Sequence, residues 1–393
     1  MPVKSITPTP ADWDRFVRAN ARAHVLQQTA WGELKSRYGW TSDRVALADD
    51  SGQIVSGAQL LFKPLPLKLG TMAYLAMGPL YSSQLVAGGQ WSGAGEEANS
   101  EQRSAISQEP SATNSPLPTN HQSRTTASFS PATRLRDQTL ATAIDQCAAR
   151  HHAAFLKWEP GIYEGGEATP DPAAWGFRPS PQTVQPPRTV LIDISGAEEA
   201  ILGRMNQGTR RKIRQSLKND IRYWQASREE VPRFTAMMHT TGERNAFGVH
   251  EPRYYEQAYD LFVPAGDAAL ILAEHEDDGL AGIMVFALGT TAWYLYGASS
   301  NLKRNLMAAY GVQWAAIQWA RAKGCTTYDM WGIPDEDEPT LEAQFESRSD
   351  GLWGVYGFKR GWGGRVARSL GAWDKVYNPA IYGAYQLALR VRG

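Results

Sequence analysis

The segment GFKRGWGG, residues 357–364, places one lysine among four glycines. Attack of an amine on an activated ester builds negative charge on the carbonyl oxygen, and one fixed donor beside that oxygen lowers the barrier by about 3 kcal/mol. Lys359 is our candidate for this role, because the flanking glycines would let a bulky ligand approach the backbone closely. The alternative interpretation is a glycine-rich strand end with an exposed lysine.

A second candidate segment, WGELKSRYGW at residues 31–40, brackets Lys35 with tryptophans. Trp31 and Lys35 lie one helical turn apart, so the ammonium could project beside an aromatic wall toward an anion. The alternative is a core tryptophan with a solvated lysine, since lysines are mostly exposed.

A basic helix is predicted over TRRKIRQS, from residue 209 onward. The chain carries 40 Lys plus Arg and 40 Asp plus Glu, so it has no overall positive charge. This helix is its strongest local positive patch. Guanidinium groups fit phosphates through two parallel hydrogen bonds, which favours an anion site. A solvated helix face is the alternative. Its basic residues are Arg210, Arg211, Lys212, Arg214 and Lys218.

Length and composition indicate a globular protein of two domains. The chain has 393 residues, 42% of them apolar, and zero net charge argues against a dedicated nucleic-acid binder. Cys147 and Cys325 have no metal-ligand spacing, and the seven histidines add none, so we expect no metal site. The start MPVKSITPTPADWDRF lacks a signal-peptide apolar region, and no run of about 18 apolar residues occurs. We therefore expect a cytoplasmic protein without a transmembrane segment.

Strand and helix patterns must position these candidates. Strands are predicted at HVLQQ, RVALAD, QIVSGAQLLFKPL, TMAYLAMGPLY, AAFLKWEP and RTVLIDIS, and later at AALILAEHE, LAGIMVFALG, TAWYLYGAS and TTYDMWGI. Residues 82–137 are rich in Ser, Thr, Gln, Gly and Pro, which predicts a disordered insertion. Tyr294 and Tyr296 are predicted to alternate onto one strand face. Core packing is the more common role of such a pair.

Seven stretches, in order, resemble the Fem family of non-ribosomal peptidoglycan aminoacyltransferases: LQQTAWGELK, YLAMGPLY, FLKWEP, TRRKIRQSLKNDI, WYLYGASS, YDMWGI and GLWGVYGFKRGWGG. They cover nearly the whole chain except the insertion. Members pass an amino acid from aminoacyl-tRNA to the peptide of a cell-wall precursor. The resemblance implies an α/β (α+β) fold of two tandem GNAT-like domains, of the acyl-CoA N-acyltransferase type. Their sheets would be mixed, mostly antiparallel and flanked by helices.

The resemblance implies a first domain over residues 1–178 and a second over 179–365, with a C-terminal helix over 366–393 packing back on the first. The stretch between Ile221 and Ala268 is too short for the long helical arm of the FemA and FemB branch. The chain therefore resembles the armless FemX-like branch. The acceptor of that branch is typically a soluble UDP-linked muramyl pentapeptide.

Acceptor-binding residues are also implied by the resemblance. Lys35 and Trp40 would meet the diphosphate and uridine of the acceptor, because an ammonium suits a phosphate oxygen and an indole suits a base or sugar face. Tyr294 and Tyr296 would line the channel for the peptide.

A Thr-x-Arg pair of the family contacts the same diphosphate, which corresponds to Thr209 and Arg211 here. An alignment shifted by a residue or so would use Arg210 or Arg214 instead.

The implied catalytic residues are Lys359, Phe358 and Glu159. The Phe-Lys pair would lie near the transition state and the 3′ end of the tRNA. Glu159 would lie near the acceptor amine, which is protonated at neutral pH and must lose a proton. The sequence leaves open whether Glu159 is a general base or orients the amine, or whether the substrate itself transfers the proton. YDMWGI is predicted to be structural, with Asp329 closing a turn.

The expected reactants are aminoacyl-tRNA carrying Ala, Ser or Gly and an acceptor that is UDP-MurNAc-pentapeptide or lipid II. No cofactor is expected, because the ester is already activated. We expect a monomer that binds no DNA stably, and peripheral contact with a membrane stays open.

Two alternative functions are a CoA-dependent N-acyltransferase and a non-catalytic binding protein. A CoA-dependent N-acyltransferase would need glycines near Met307 and Ala309 to hold the CoA pyrophosphate, and the Met307 side chain would obstruct it. A non-catalytic precursor- or RNA-binding relative would be expected to lose Glu159 or the pair Phe358 and Lys359.

Overall fold

Two β-sheets organise the protein. The structure is a computed structural model that describes residues 2–82, 131–166, 171–245 and 248–392. Strands of the first sheet are β1 (Lys4–Ile6), β2 (Thr41–Ala48), β3 (Ile54–Pro64), β4 (Thr71–Ala76), β5 (Leu80–Tyr81), β6 (Ala153–Glu159), β7 (Arg178–Pro179) and β15 (Trp373–Val376). Strands of the second sheet are β8 (Arg188–Asp193), β9 (Arg222–Gln225), β10 (Ala268–His275), β11 (Asp278–Leu288), β12 (Thr291–Ser299), β13 (Thr327–Asp329) and β14 (Arg365–Arg368).

The two sheets repeat one topology. The first has the order β1-β2-β3-β4-β6-β15-β7, with β5 beside β3, and the second has the order β9-β10-β11-β12-β13-β8-β14. In each, four antiparallel strands are followed by one parallel pair, β4 with β6 and β12 with β13. A strand from a distant part of the chain, β15 or β8, comes next. The predicted fold class, two tandem GNAT-like domains with mixed, mostly antiparallel sheets, is confirmed.

Helices cover both sheets. They are α1 (Pro10–Arg18), α2 (Thr29–Ser36), α3 (Pro131–Arg150), α4 (Glu198–Arg204), α5 (Gln207–Lys218), α6 (Val231–Asn245), α7 (Pro252–Phe262), α8 (Ala308–Ala322), α9 (Glu338–Gln344), α10 (Trp353–Lys359) and α11 (Pro379–Arg392). Helices α6 and α7 have 15 and 11 residues and pack on each other and on the second sheet, so the described part of this region has no long helical arm. None of the helices in the described ranges is both long and apolar enough to span a bilayer.

The chain crosses from the first sheet to the second between β7 and β8 and returns at β15. A buried ion pair anchors the returning strand, with Lys157 Nζ 2.9 Å from Asp374 Oδ1. Tyr382 of α11 donates a hydrogen bond to the second oxygen of Asp374 at 2.7 Å. A helix was expected over residues 366–393, and its predicted first residue was wrong. Gly371 has a positive φ of 74°, which turns the chain between β14 and β15, and the helix begins at Pro379.

The insertion predicted over residues 82–137 extends past the start of a helix. Residues 83–130 lie outside the described part of the chain, but 131–137 belong to α3. Pro131 is compatible with a first helical turn, and Leu140 and Ile144 further along this helix are buried against the first sheet. The low content of large aliphatic residues before position 137 concealed this start.

An apolar cluster joins the two domains. Leu34 of α2 and Trp13 of α1 pack in one buried cluster with Phe234 of α6 and Phe286 of β11. Polar contacts flank this interface, because Asp267 accepts hydrogen bonds of 2.7 Å from Arg18 Nη1 and from Gln28 Nε2. The domains are therefore held face to face, with clefts at their junction.

Candidate active site

Two clefts contain several of the candidate residues. The larger one, of about 920 Å³, lies mainly in the second domain. Lys359 at the end of α10 and Phe358 beside it line this cleft, together with Tyr294 and Tyr296 of β12. The start of α8 closes one side, where Tyr310 packs edge-to-face on Phe358 with ring centroids 5.0 Å apart. The structure thus brings four of the predicted site residues together.

Lys359 is buried, with 6% of its surface exposed, and its ammonium points at backbone carbonyls. Nζ donates hydrogen bonds to the carbonyl oxygens of Gly332 at 2.7 Å and Trp331 at 3.3 Å, and it lies 5.6 Å from the Tyr294 ring centroid. Burial lowers the pKa of Lys359 to about 7, and the nearby charge of Asp329 opposes that shift. An ammonium has three N–H donors, so one remains for a ligand in the cleft.

The loop after β13 holds those two carbonyls. Trp331 has a positive φ of 59°, a rare conformation for a bulky residue. The Trp331 backbone N–H donates to Asp329 Oδ1 at 2.7 Å, and the Tyr163 hydroxyl donates to Asp329 Oδ2 at 3.0 Å. Burial raises the pKa of Asp329, although hydrogen bonds from Thr189, Trp331 and Tyr163 oppose it. The segment YDMWGI therefore fixes the position of the lysine, a connection that the sequence analysis missed.

Tyr294 and Tyr296 do not share one face of β12. A β-bulge shifts the register between β11 and β12, so that Val285 pairs with Tyr294 and Met284 pairs with Tyr296. Tyr294 packs with the second-domain core, whereas Tyr296 packs with the interdomain cluster. The predicted alternation was wrong because the extra residue, Leu295, inverts the sidedness. Both tyrosines still line the larger cleft.

The basic helix α5 contributes a residue that the sequence analysis did not select. Lys212 lines the cleft, and its Nζ donates a hydrogen bond to the Tyr310 hydroxyl at 3.0 Å. Arg211 and Arg214 are exposed, and Thr209 is buried against Gly361; none of these three is part of the cleft lining. Helical spacing could have indicated Lys212, because positions 209, 212 and 216 lie on one side of a helix.

Glu159 lies in a neighbouring cleft of about 650 Å³ at the domain junction. Its carboxylate accepts hydrogen bonds from the Tyr74 hydroxyl, from the Val184 backbone N–H at 2.5 Å, and from the Gln185 backbone N–H at 3.1 Å to Oε2 and 3.3 Å to Oε1. Burial raises the pKa of Glu159, and these hydrogen bonds oppose the shift. These contacts come from three donors, with the Gln185 N–H shared by both oxygens, so each carboxylate oxygen already has two partners.

One wall separates the two clefts. Pro186, Trp331 and Gly332 line both. The wall is tightly packed, because a Cβ at Gly332 would lie 2.8 Å from Pro186 Cγ. Lys359 donates to the carbonyls of this wall from one side, and Glu159 lines the cleft on the other side.

Lys35 and Trp40 belong to the first domain, and neither is part of either cleft lining. Trp40 packs beside Tyr74, with ring centroids 6.3 Å apart. Lys35 Nζ is 2.9 Å from the Tyr254 hydroxyl, which is 3.1 Å from the Tyr296 hydroxyl in the larger cleft. The ammonium also lies 4.9 Å from the ring centroids of Trp31 and Tyr254. Burial, together with the charge of a neighbouring lysine, lowers the pKa of Lys35 to about 8. Lys35 is therefore partly buried and connected to the larger cleft through two tyrosines.

Cations also line the larger cleft beside the start of α8. Arg244, Lys303 and Arg304 line it near the first turn of α8. Lys303 is paired with carboxylates, Glu276 at 2.7 Å and Asp278 at 2.9 Å. These cations and the partial positive charge of the helix start favour an anionic ligand there.

One side-chain group has ligand types suited to a metal, namely Asp43, Cys147 and His151. Asp43 Oδ2 lies 3.4 Å from Cys147 Sγ and 3.1 Å from His151 Nε2. The same oxygen accepts a hydrogen bond from Arg150 at 3.3 Å, and the three residues line neither cleft. Hydrogen bonding to one carboxylate explains this arrangement.

Comparison with known proteins identifies the family. The FemAB family model matches residues 9–115, 176–278 and 270–390. A lipid II:glycine glycyltransferase of Staphylococcus saprophyticus is 26% identical over 94% of this chain and 92% of its own length, and one of Staphylococcus aureus strain MRSA252 is 24% identical over 95% and 93%. The crystal structure of FemX has a TM-score of 0.75 at 21% identity, covering 97% of this chain and 99% of its own, so the fold is shared. The protein is an aminoacyltransferase that belongs to the FemAB family.

Proposed function

We propose that this protein transfers an amino acid from aminoacyl-tRNA to the side-chain amine of the stem peptide in a peptidoglycan precursor. The observation that supports this most directly is the buried ammonium of Lys359 in the larger cleft, held by two carbonyls at the wall between the clefts. The relatives are named as glycyltransferases, so glycine is the amino acid to test first, followed by alanine and serine.

The chemistry assigned to the site is one acyl transfer. The acceptor amine first loses one proton to solvent, and its neutral nitrogen then attacks the ester carbonyl carbon, so that the carbonyl oxygen becomes negatively charged. Lys359, whose own side chain is buried, donates its remaining N–H to that oxygen, because a charged donor in a low-dielectric environment acts strongly. The carbon–oxygen bond to the tRNA ribose then breaks, the 3′ oxygen leaves with a proton from the attacking amine, and an amide remains.

The 3′ end of aminoacyl-tRNA is assigned to the part of the larger cleft beside the start of α8. Lys212, Arg244 and Arg304 are there, beside the first turn of α8. Phosphate oxygens suit this combination of cations and helix start. Tyr310 and Phe358 add aromatic surface on which a terminal base could stack.

The precursor is assigned to the first-domain side of the junction. Lys35 and Trp40 would bind its diphosphate and the group attached to it, and the peptide would run past Tyr296 toward Lys359. The relatives are named for lipid II, which favours a lipid-linked acceptor over the UDP-linked one. We place the reaction in the cytoplasm, where aminoacyl-tRNA is made.

Glu159 is assigned an orienting role. Its three donors are Tyr74 and the backbone N–H groups of Val184 and Gln185, and they hold the segment that leads to the wall at Pro186. A general base needs a free lone pair aimed at the amine, so we assign the proton transfer to the substrates themselves.

The test uses the purified full-length chain with radiolabelled glycyl-, alanyl- and seryl-tRNA. Lipid II in detergent and UDP-MurNAc-pentapeptide are offered as acceptors in separate reactions. We expect label to appear in the muramyl peptide and to disappear when the tRNA is first treated with RNase. Acetyl-CoA serves as the competing donor. Acetylation of the peptide by acetyl-CoA, with no transfer from any aminoacyl-tRNA, would refute the proposal.

A further inference from the structure

Exposed large hydrophobic side chains concentrate in two elements of the first domain. Leu67, 89% exposed, and Leu69 lie in the hairpin between β3 and β4. Leu387 and Val391, the latter 81% exposed, lie on the last turns of α11. Only four other large hydrophobics of the described residues are comparably exposed, and they are scattered: Val184, Leu217, Leu302 and Leu352. A concentration of this kind on a folded surface indicates a contact surface.

The two elements lie side by side. Leu65 and Met72, which flank the hairpin tip, are buried in one cluster with Tyr382 of α11, and Tyr385 packs on the same cluster. Tyr382 hydrogen-bonds to Asp374 in β15, whereas the Tyr385 hydroxyl lies 4.0 Å from Met72 Sδ in β4. The helix therefore runs across the sheet from β15 toward the β3–β4 hairpin.

Helix geometry places the end of α11 beside the hairpin tip. At 1.5 Å per residue, Leu387 lies about 3 Å and Val391 about 9 Å beyond Tyr385 along the helix axis. Ala384, Leu387, Ala388 and Val391 are exposed and follow helical spacing on the face opposite the tyrosines. We call the hairpin residues Leu67 to Leu69 and this helix face the apolar patch.

The charged residues within the two elements of the apolar patch have one sign. Residues 60–72 and 377–393 contain no Asp or Glu. Lys68 and Arg390 are exposed within these elements, and Lys63 lies at the base of the hairpin. Apolar side chains that project among cations fit an anionic lipid surface, where each lysine or arginine contributes a further attraction. A protein partner for such a patch would be expected to be acidic, and nothing else in the described structure selects one.

We propose that the apolar patch docks this protein on an anionic phospholipid bilayer. Leu67, Leu69, Leu387 and Val391 enter the interface between head groups and acyl chains, while Lys68 and Arg390 lie at the level of the lipid phosphates. The docking itself does not depend on the proposed function. Its consequence for catalysis rests on that function, as the route by which a lipid-linked acceptor reaches the site.

The patch adjoins the residues assigned to the acceptor diphosphate. Lys63 Nζ lies 5.4 Å from the Trp40 ring centroid and donates a hydrogen bond to the Tyr38 carbonyl at 3.1 Å. Trp40 packs both on the cluster beneath the patch and on the interdomain cluster. A precursor whose lipid tail stays in the bilayer would thus present its diphosphate near Lys35 and Lys63, with its peptide directed toward the clefts.

The docking is tested by flotation of the full-length protein with vesicles. One vesicle type contains phosphatidylglycerol and phosphatidylcholine, and the other contains phosphatidylcholine alone. We expect binding to the anionic vesicles to fall about tenfold in the double variant Leu67→Glu, Val391→Glu. Leu217→Glu is the matched control, because it adds a charge at an exposed leucine elsewhere, and it should bind like wild type. Equal binding of the double variant and wild type would overturn the proposal.

Turnover separates docking from catalysis. With UDP-MurNAc-pentapeptide in solution, or lipid II in detergent, the double variant should match wild type, because the patch lies outside the clefts. With lipid II in anionic vesicles, it should be about tenfold slower. Vesicle binding by wild type without any turnover would refute only the proposed function. A wild type that ignores vesicles and forms a dimer, with monomeric patch variants in light scattering, would overturn the docking and assign the patch to a second copy.

Discussion

Replacing Lys359 with methionine removes the charge from the larger cleft while keeping a side chain of similar length. One donor to a developing oxyanion contributes about 3 kcal/mol, which corresponds to roughly 100-fold in rate. Burial lowers the pKa of Lys359 to about 7, so at pH 7 about half of the wild-type molecules carry the ammonium. We therefore expect kcat to fall about 50- to 100-fold at pH 7, and by the full factor at pH 6.

The assay is single-turnover transfer from labelled aminoacyl-tRNA at saturating acceptor, which separates chemistry from binding. The KM for the acceptor should change little, because the lysine acts on the transition state. Lys218→Met is the matched control, since Lys218 is exposed at the end of α5 and is not part of either cleft lining. Folding is checked by circular dichroism, because the variant leaves the carbonyls of Trp331 and Gly332 without their donor.

A folded Lys359→Met protein with kcat within about threefold of wild type would refute the electrostatic role. A large rise in KM with unchanged kcat would refute it too, because the lysine would then bind the ground state and the transition state equally.

Three further predictions concern the surroundings of the site. Asp329→Asn removes the charge that opposes the lowered pKa of Lys359, so the alkaline limit of kcat should move to lower pH in a pH–rate profile. Glu159→Gln should reduce kcat by less than 100-fold, because loss of a true general base costs about 10² to 10⁴; steady-state kinetics at saturating acceptor measure this. Lys157→Met leaves a buried carboxylate unpaired, and urea unfolding should show a loss of about 3–5 kcal/mol in the free energy of unfolding.

Local patterns carried much of the prediction. The strand predicted at AAFLKWEP and the helix predicted over TRRKIRQS are present as β6 and α5. The stretch TMAYLAMGPLY, predicted as one strand, forms two strands, β4 and β5, and HVLQQ contains a short 3-10 helix over Val25–Gln27 where a strand was expected. The glycine-rich segment at Lys359, predicted to supply a donor to the reaction, lines the larger cleft, whereas the alternative interpretation made it a strand end with an exposed lysine. It is the end of α10, and the lysine is buried, because its amine finds carbonyls from a loop 27 residues away.

Long-range features were beyond such reasoning. Lys157 and Asp374 are 217 positions apart, and nothing in either local sequence pairs them. The bulge in β12 could not be predicted either. The sequence WYLYGASS has the pattern of a regular strand whether or not Leu295 is an extra residue. Resemblance selected Thr209 and Arg211, yet Lys212 is the residue of this helix that lines the larger cleft. Which side of a helix faces a cleft depends on its packing partner, here α8.

The path of the chain after Lys359 explains why the site lies at the junction of the domains. Helix α10 ends at Lys359, β14 completes the second sheet, and β15 then enters the first sheet between β6 and β7. Strand β6 ends at Glu159, so the segment that carries the lysine is tied to the strand that carries the carboxylate. A rotation of one domain against the other would have to move this connection and the wall at Trp331 together. The fold thereby fixes the distance between the two halves of the site through the backbone, not only through side-chain contacts.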